Sequence, residues 1–283
     1  MDKINKLKNI LICPITGDKL IFNNKNFYSK KNKKIYKIKN NKIYFNKNLG
    51  RVNKFVILKN YIKNNYSNLY YNLLKIFGPT YPYPLNKEIK KIINIDNNKL
   101  ICLDIGSGNL QANKNFINLD FHPYDKVDLV GDASNIPIKS GSINFVFSKS
   151  FLEHAKNPEK VVNEIYRILK PKSFTIHSIP FLYPIHASPF DYNRYTDEGL
   201  KILFKKFKIL KIINISGPFT LINIILLEII SGLFSLVNNK LGTLSYIFFI
   251  FLLSPVKYLD FFFIRRKIFK NISSNFLIIA KKV

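Results

Sequence analysis

The chain has 283 residues, of which 47% are hydrophobic, and a formal net charge of +28 at pH 7. It is therefore long enough to bury a full core and to hold one or two domains. The two cysteines, Cys13 and Cys102, exclude a disulfide framework, so the composition fits a reducing cytosol.

The positive charge has two explanations. It is typical of proteins with an anionic partner, such as nucleic acid or an acidic membrane surface. It also follows from AT-rich codon usage, because the abundant residues Lys, Asn and Ile all have AT-rich codons. The lysines are scattered and form no single block, so we favour the compositional explanation and expect no nucleic-acid partner.

Residues 1–48 are predicted to form a small β module. The short runs around Tyr36 and Ile43 have the composition of strands. The segment resembles a zinc ribbon, which needs four ligands in paired Cys-x-x-Cys spacing. Thr16 stands where the partner of Cys13 is required, and no later pair of cysteines exists. We therefore predict a metal-free module and no metal site in the chain.

Residues 49–98 are predicted to be a largely helical connector. The prolines at positions 79, 82 and 84 would break any helix there. The segment either forms a wall of the substrate site or simply connects two units, and the second role is the more frequent one.

The run Leu100–Ile105 is the most informative part of the chain. It predicts a buried parallel strand that ends in a turn at Gly106 and Gly108, where a ligand can approach the backbone. Such turns bind dinucleotides or S-adenosylmethionine. Gln111 stands where the dinucleotide fingerprint has its third glycine, and no Gly-Lys-Ser/Thr follows to form a phosphate loop.

A series of ordered motifs decides between these ligands. The motifs are 117–120 ending in Asp120, 127–133 ending in Asp132-Ala133, 143–148 ending in Ser148, then Glu153-His154, Asn157-Pro158 and 164–171. With them, residues 100–207 resemble the class I S-adenosylmethionine-dependent methyltransferases, specifically the type 11 group. The N-terminal module likewise resembles the zinc-ribbon-like segment that precedes many bacterial methyltransferases.

The resemblance implies an α/β fold with a Rossmann-like methyltransferase sheet of seven strands, covering 99–216 and 273–283. It also implies S-adenosylmethionine as cofactor, with Asp104 near its amino-acid end, Asp120 on its ribose and Asp132 on its adenine. The full set of implied cofactor-binding residues is Asp104, Gly106, Ser107, Gly108, Asp120, Asp132, Ala133 and Ser148. Only eight residues, 109–116, precede the second strand, so its crossover helix must shrink to about one turn.

The candidate catalytic residues are His154, His186, Asp191 and Arg194. Three of them lie in the loop 180–196, which resembles the His…Pro…Asp-Tyr…Arg-Tyr-Thr loop of methyltransferases associated with surface-glycan biosynthesis. A histidine or Asp191 could take a proton from a hydroxyl group. Arg194 could bind a phosphate or carboxylate, or could pair with Asp191 and lock the loop.

Residues 217–272 form an apolar insert before the last strand. The runs 217–237 and 244–264 are nearly all apolar, and a helix of 21 residues spans about 31 Å, close to the hydrocarbon thickness of a bilayer. The turn 238–240 makes the two runs a helical hairpin, and basic residues flank it on both sides, which is the positive-inside pattern.

Two structures fit this hairpin. It either contacts a membrane, spanning it or lying in its plane, or forms a soluble cap on the sheet. Glu228 and Pro255 weaken a full span. We predict a cytoplasmic protein associated with the inner face of the membrane, with an anionic membrane surface as a partner.

We interpret the chain as a methyltransferase that acts on an oxygen atom of a glycan or lipid-linked saccharide. Methylation of a quinone or lipid head group is the first alternative, because of the hairpin. RNA methylation, suggested by charge alone, and a catalytically silent membrane-associated binding module are the others. The sequence leaves the acceptor and the oligomeric state open.

Overall fold

The structure, a computed structural model, describes residues 2–46, 67–109, 112–186 and 190–283. Its strands are β1 (Ile21–Phe22), β2 (Asn26–Tyr28), β3 (Ile35–Lys39), β4 (Lys42–Tyr44), β5 (Cys102–Ile105), β6 (Ile117–Asp120), β7 (Leu129–Val130), β8 (Ile143–Lys149), β9 (Leu169–Pro180), β10 (Lys208–Ser216) and β11 (Asn275–Lys281). They form one mixed sheet in the order β1-β2-β3-β4-β7-β6-β5-β8-β9-β11-β10.

The strands from β5 to β11 form the part of the sheet that carries the predicted motifs. Strands β5 to β9 pair in parallel, and β11 runs antiparallel between β9 and β10. The continuous apolar runs of β5 and β8 are buried, as expected of strands covered on both faces. The predicted Rossmann-like α/β fold is confirmed.

The N-terminal strands continue this sheet and do not form a separate one. Strand β4 pairs in parallel with β7, with Ile43 opposite Leu129. Leu11 and Leu103 belong to the same buried core cluster, so the module and the main sheet share one core. The seven strands β5–β11 correspond to the predicted methyltransferase sheet, and the four short strands of the module extend it to eleven, because short strands carry no sign of their pairing partner.

The helices are α1 (Asp2–Lys8), α2 (Ser67–Phe77), α3 (Leu85–Ile92), α4 (Pro158–Ile168), α5 (Asp197–Leu203), α6 (Pro218–Val237), α7 (Asn239–Leu253) and α8 (Asp260–Phe263). Within the predicted connector, α2 and α3 lie on either side of the prolines, and residues 49–66 lie outside the described residues. In the short crossover after Gly108, residues 112–116 contain turns and no helix, and 110–111 also lie outside the described residues.

Hydrogen bonds link the polar side chains of the N-terminal module. Positions 13, 16, 29 and 32 have the spacing of paired metal ligands, but only Cys13 carries a thiol. Asn32 Nδ2 donates to Cys13 Sγ at 3.4 Å, and Ser29 Oγ donates to both carboxylate oxygens of Asp18 at 2.9 Å. Thr16 also donates to Asp18. These side chains bond to one another where a zinc ribbon would present its ligands.

The apolar insert is a hairpin of α6 and α7 joined by Asn238 alone. Ser231 Oγ donates to the Gly242 carbonyl at 3.0 Å, and a Cβ atom on Gly242 would lie 1.8 Å from Ser235 Oγ, so the two helices pack closely. The segments Pro218–Val237 and Asn239–Phe263 are long and apolar enough to cross a membrane, with mean hydropathies of 2.2 and 1.6. Only 22% and 17% of their most apolar windows are buried. Length and composition alone are weak evidence for a membrane.

Two fully buried charges attach this hairpin to the rest of the chain. Lys257 Nζ donates to the carbonyls of Lys75, Ile76 and Gly78 at 2.9, 2.8 and 2.5 Å, which caps the C-terminal end of α2. Asp260 accepts hydrogen bonds of 2.9–3.0 Å from three backbone amides at the start of α6, those of Gly217, Phe219 and Thr220. Both charged residues lie in the insert predicted to be apolar, and each forms hydrogen bonds with backbone groups at the end of a helix.

Candidate active site

The glycine turn follows β5 at the carboxyl edge of the parallel strands. Gly106 and Gly108 have φ angles of +68° and +56°, in the left-handed region that favours glycine. A Cβ atom on Gly106 would lie 2.3 Å from the ring of Phe151, so a side chain and not a ligand approaches the backbone there, contrary to the expectation. A Cβ atom on Gly108 would meet nothing within 4 Å. The open space therefore lies at Gly108.

Ser107, between the two glycines, is 8% exposed. Its hydroxyl has no hydrogen-bond partner in the described part of the chain. A buried polar group without a partner requires an explanation, and a bound ligand is one.

Two carboxylates stand beside this turn. Asp120, which ends β6, accepts from the Gly108 amide at 2.9 Å through Oδ2 and from the His122 amide at 2.9 Å through Oδ1. Asp104 in β5 is almost fully buried, and burial raises its pKa to about 8. Its Oδ2 accepts from the Ala112 amide at 3.3 Å. Asp120 thus fixes the turn while keeping further lone pairs free.

The remaining predicted cofactor residues lie at the ends of the next strands. Asp132 is exposed, and its Oδ1 accepts from the Ser134 amide at 2.8 Å, so it caps its own turn. Ala133 beside it is buried. Ser148 in β8 is fully buried, and its hydroxyl lies 2.7 Å from Nδ1 of His177. Any contact between Ser148 and a ligand would therefore be made by the Ser148 backbone.

A second group of side chains lies just after β8. A short 3₁₀ turn, Leu152–His154, follows β8, and α4 begins later, at Pro158. Glu153 in this turn is fully buried, and its Oε1 lies 3.8 Å from Nε2 of His154 and 3.8 Å from Nε2 of His186. The imidazole rings of the two histidines meet edge to face at 5.1 Å. The fold thus brings a buried carboxylate and two imidazoles to one point.

Nearby acceptors set the direction in which these histidines point. His154 Nδ1 lies 2.6 Å from the Phe190 carbonyl, an acceptor, so this nitrogen carries the proton. His186 Nδ1 lies 3.4 Å from both the Pro184 carbonyl and Asp191 Oδ2. On His154, Nε2 is therefore left with its lone pair facing Glu153. Nδ1 of His186 also lies 3.5 Å from Nη2 of Arg194, a donor, so its neighbours allow either nitrogen of that ring to carry the proton. Burial raises the pKa of Glu153 to about 8 and lowers the pKa of His186.

Asp191 and Arg194 hold the loop that carries His186. Arg194 donates to Asp191 with both terminal nitrogens at 2.5 Å, and Asp191 Oδ2 also accepts from the His186 amide at 2.9 Å. The hydrogen bonds from Arg194 lower the pKa of Asp191 to about 2. The amide of Tyr192 donates to the Glu153 carbonyl at 2.8 Å, which ties the loop to the 3₁₀ turn. Arg194 thus locks the loop, one of the two roles that the sequence leaves open.

His154, His186, Asp191 and Arg194 are catalytic candidates predicted from the sequence, whereas Glu153 is not among them. All five lie together, although residues 187–189 of the loop lie outside the described residues. The sequence feature that could have identified Glu153 is its position beside His154, directly after a strand that ends at the same edge of the sheet as the glycine turn. Nothing local, however, shows that an acidic residue will be fully buried.

Comparison with protein families agrees with this geometry. Residues 88–176 match a family model described as a methyltransferase domain. This region is a methyltransferase domain. It carries all eight residues predicted to bind cofactor, and its methyl donor is S-adenosylmethionine. The match covers about a third of the chain and supports its being an enzyme, an S-adenosylmethionine-dependent methyltransferase.

Solved structures with related architecture are distant. Phosphoethanolamine N-methyltransferase 2 of Haemonchus contortus, solved with S-adenosyl-L-methionine, is 18% identical over 82% of this chain and 60% of its own, with a TM-score of 0.46. A possible histamine N-methyltransferase of Thermotoga maritima is 15% identical, covering 79% and 99%, with a TM-score of 0.45. An S-adenosylmethionine-dependent methyltransferase of Aquifex aeolicus is 11% identical, covering 75% and 93%, with a TM-score of 0.41. No curated protein matches the chain.

The methyltransferase match ends at Ile176, inside β9. Glu153 and His154 lie within it, whereas His186, Asp191 and Arg194 lie beyond it. The second half of the side-chain cluster therefore comes from a loop outside the region that defines the methyltransferase domain. Loops at the rim of a rigid scaffold are where substrate preference is commonly set.

Proposed function

We propose that this methyltransferase transfers the methyl group of S-adenosylmethionine to a hydroxyl oxygen of a glycan or lipid-linked saccharide at a membrane surface. The observation that carries the proposal is the cluster of Glu153, His154 and His186 just after β8, at the same edge of the sheet as the cofactor turn. Methylation of a hydroxyl needs its proton removed, and these are the groups suited to promote that.

The residues at the glycine turn fit the cofactor. The open space at Gly108, the unpartnered hydroxyl of Ser107 and the spare lone pairs of Asp120 offer room and hydrogen bonds for a polar ligand. We propose that Asp120 binds the ribose hydroxyls, that Asp104 supports the turn, and that Asp132 with Ala133 receives the adenine. The cofactor supplies an electrophilic methyl carbon on a sulfonium, so the chain's main task is to position the acceptor and exclude water.

The loop after β9 suits a saccharide acceptor. Phe190 is 60% exposed and Tyr192 is 47% exposed, with ring centroids 5.7 Å apart, next to the histidines and Arg194. Exposed aromatic faces beside hydrogen-bonding groups complement the apolar faces and hydroxyls of a sugar ring. The acceptor hydroxyl forms the new bond to carbon, the carbon–sulfur bond breaks with its electrons going to sulfur, and the hydroxyl proton leaves.

The hairpin supports a membrane location for this reaction. Exposed apolar side chains cover both helices, among them Leu233, Leu244, Phe248 and Leu252, each at least 60% exposed. An exposed apolar surface of this extent marks a site of contact with a membrane or another protein. Burial raises the pKa of the loop residue Tyr183. The carboxylate of Glu228 in α6 is close enough to raise the pKa of Tyr183 further. This proximity of the loop to α6 supports an acceptor site beside the hairpin, as a lipid-linked substrate requires.

The cofactor assignment is tested by Asp120→Ala. We expect the affinity for S-adenosylmethionine, measured by calorimetry, to fall by about 10-fold or more, since the variant loses the carboxylate that holds Gly108 and would hold the ribose. Asp125→Ala removes an exposed carboxylate on the following turn and should leave the affinity unchanged. Equal affinity in wild-type protein and folded Asp120→Ala would contradict the assignment.

The membrane assignment is tested by replacing residues 218–272 with a short Gly/Ser linker. Ser216 accepts hydrogen bonds from the Ser274 amide and the Ser273 hydroxyl, both at 3.0 Å, so the two ends of the insert already meet. We expect the intact chain to float with anionic liposomes and the shortened chain to stay in solution while still binding S-adenosylmethionine. An intact chain that ignores anionic liposomes at low salt would mean that the hairpin is a soluble cap.

A further inference from the structure

We propose that Glu153, His154 and His186 bind a divalent transition-metal cation, with Zn²⁺ as the best-fitting probe. The inference deepens the proposed function, because the cation would occupy the place where the acceptor hydroxyl is activated. It departs from the sequence-based expectation of no metal site, which considered cysteine ligands in the N-terminal module.

The first observation is that three side chains able to bind a metal ion converge on one point. The ligand atoms of the three residues all lie within 4.8 Å of one another. At 3.8 Å neither contact with Glu153 Oε1 is a hydrogen bond. A cation among these three side chains would bind to all of them at once and would stabilise the ionised form of the carboxylate.

The second observation is independent of this spacing. The Glu153 side chain is fully buried, and neither carboxylate oxygen has a hydrogen-bond partner in the described part of the chain. Buried carboxylates are normally paired, hydrogen-bonded or bound to a metal. The nearest candidate partners are the two imidazole nitrogens, which lie 3.8 Å away, too far for a hydrogen bond.

The third observation concerns the groups behind the ligands. Histidines that bind a metal through one nitrogen usually donate the other N–H to a carbonyl or carboxylate. His154 does so through Nδ1 to the Phe190 carbonyl at 2.6 Å, and His186 Nδ1 faces Asp191 and the Pro184 carbonyl. Arg194 in turn fixes Asp191. Nε2 of His154 is thereby oriented before any metal arrives, and the loop holds the ring of His186 beside it.

The donor set identifies the kind of cation. Two imidazoles and one carboxylate are a ligand set of catalytic zinc and non-haem iron, whereas Mg²⁺ and Ca²⁺ prefer oxygen ligands alone. Ligand atoms about 2.1 Å from a tetrahedral Zn²⁺ are roughly 3.4 Å apart, so the 3.8 Å contacts need to close by only some tenths of an ångström. His186 is 38% exposed, which leaves room for a fourth ligand from solvent or substrate.

A cation here would act on the acceptor hydroxyl. Coordination of the hydroxyl oxygen stabilises its deprotonated form, as it does for metal-bound water. The hydroxyl proton passes to solvent water at the open side of the cluster. The oxygen then forms the bond to the methyl carbon as the carbon–sulfur bond breaks, and the cation changes neither its charge nor its oxidation state.

The test is a calorimetric titration of the metal-stripped, full-length protein with Zn²⁺. We expect one strong site per chain, and at least about 100-fold weaker binding in Glu153→Gln and His186→Ala, because each loses a ligand. Asp191→Asn should weaken binding by about 10–100-fold through the orientation of His186. His122→Ala, which removes an imidazole outside the cluster, should bind Zn²⁺ as the wild-type protein does.

Binding of S-adenosylmethionine is measured on the same samples to show that each variant is folded. The absence of a stoichiometric Zn²⁺ site in wild-type protein that binds S-adenosylmethionine would overturn the metal site. So would a Zn²⁺ site of equal affinity in Glu153→Gln, because that metal would lie elsewhere. If Zn²⁺ does not bind but the histidine variants still lose methyl transfer, the proposed function stands and the imidazoles themselves accept the proton.

Discussion

Replacing His186 by alanine is expected to lower the rate of methyl transfer by about 10²–10⁴-fold, the usual size of an acid–base or activating contribution. His186 is one of the two imidazoles that face Glu153, so the variant removes half of the imidazole groups of the cluster. The affinity for S-adenosylmethionine should stay within a few-fold, because the cofactor turn lies on other strands. The rate is measured as labelled methyl groups transferred from S-adenosylmethionine to the glycolipid fraction of cell envelopes.

Arg194 offers a matched pair of variants for the same loop. Arg194→Lys keeps the positive charge but loses the fork that binds both oxygens of Asp191, so it should retain more activity than Arg194→Ala but less than the wild-type enzyme. If His186→Ala and Arg194→Ala both transfer methyl groups at near-normal rates, the loop is structural and the acceptor lies elsewhere. Labelling confined to quinones or phospholipid head groups would replace the saccharide as acceptor.

The second large effect is expected on stability. Asp260→Ala should lower the free energy of unfolding by about 2–4 kcal/mol, because it leaves three backbone amides at the start of α6 without their shared acceptor. Asp260→Asn keeps one acceptor oxygen and should lose less. Denaturant unfolding in detergent measures both values.

Asp96→Ala is the control for this measurement, since Asp96 is exposed and lies far from the hairpin in the chain. It should change the unfolding free energy by less than about 0.5 kcal/mol. Equal stability of Asp260→Ala and Asp96→Ala would show that water satisfies the amides and that the Asp260 cap contributes nothing.

The parts of the fold that the sequence predicts well are those set by local pattern. The strand at Cys102–Ile105, the glycine turn and the last strand follow from apolar runs bounded by turn residues. The break after α7 follows from Ser254-Pro255, where a 3₁₀ helix begins. Each of these depends on residues that are close neighbours in the chain.

The parts that the sequence does not predict depend on contacts over long distances in the chain. Lys257 bonds to the carbonyl of Lys75, 182 positions earlier, and no periodicity indicates such a partner. The close approach of the Phe151 ring to Gly106 likewise arises only when the turn after β8 folds back on the turn after β5. Glu153 is the clearest case in the candidate site, because its burial results from a loop that begins beyond β9.

The position of β11 has a consequence for the order in which the chain folds. This strand follows the hairpin in the sequence, yet it lies between β9 and β10 in the sheet. During synthesis from the N-terminus, β9 and β10 are therefore made with no strand yet between them, and their facing edges stay unpaired. The hairpin is finished during this interval. If the hairpin binds a membrane as proposed, a nascent chain would meet the bilayer before β11 completes the sheet.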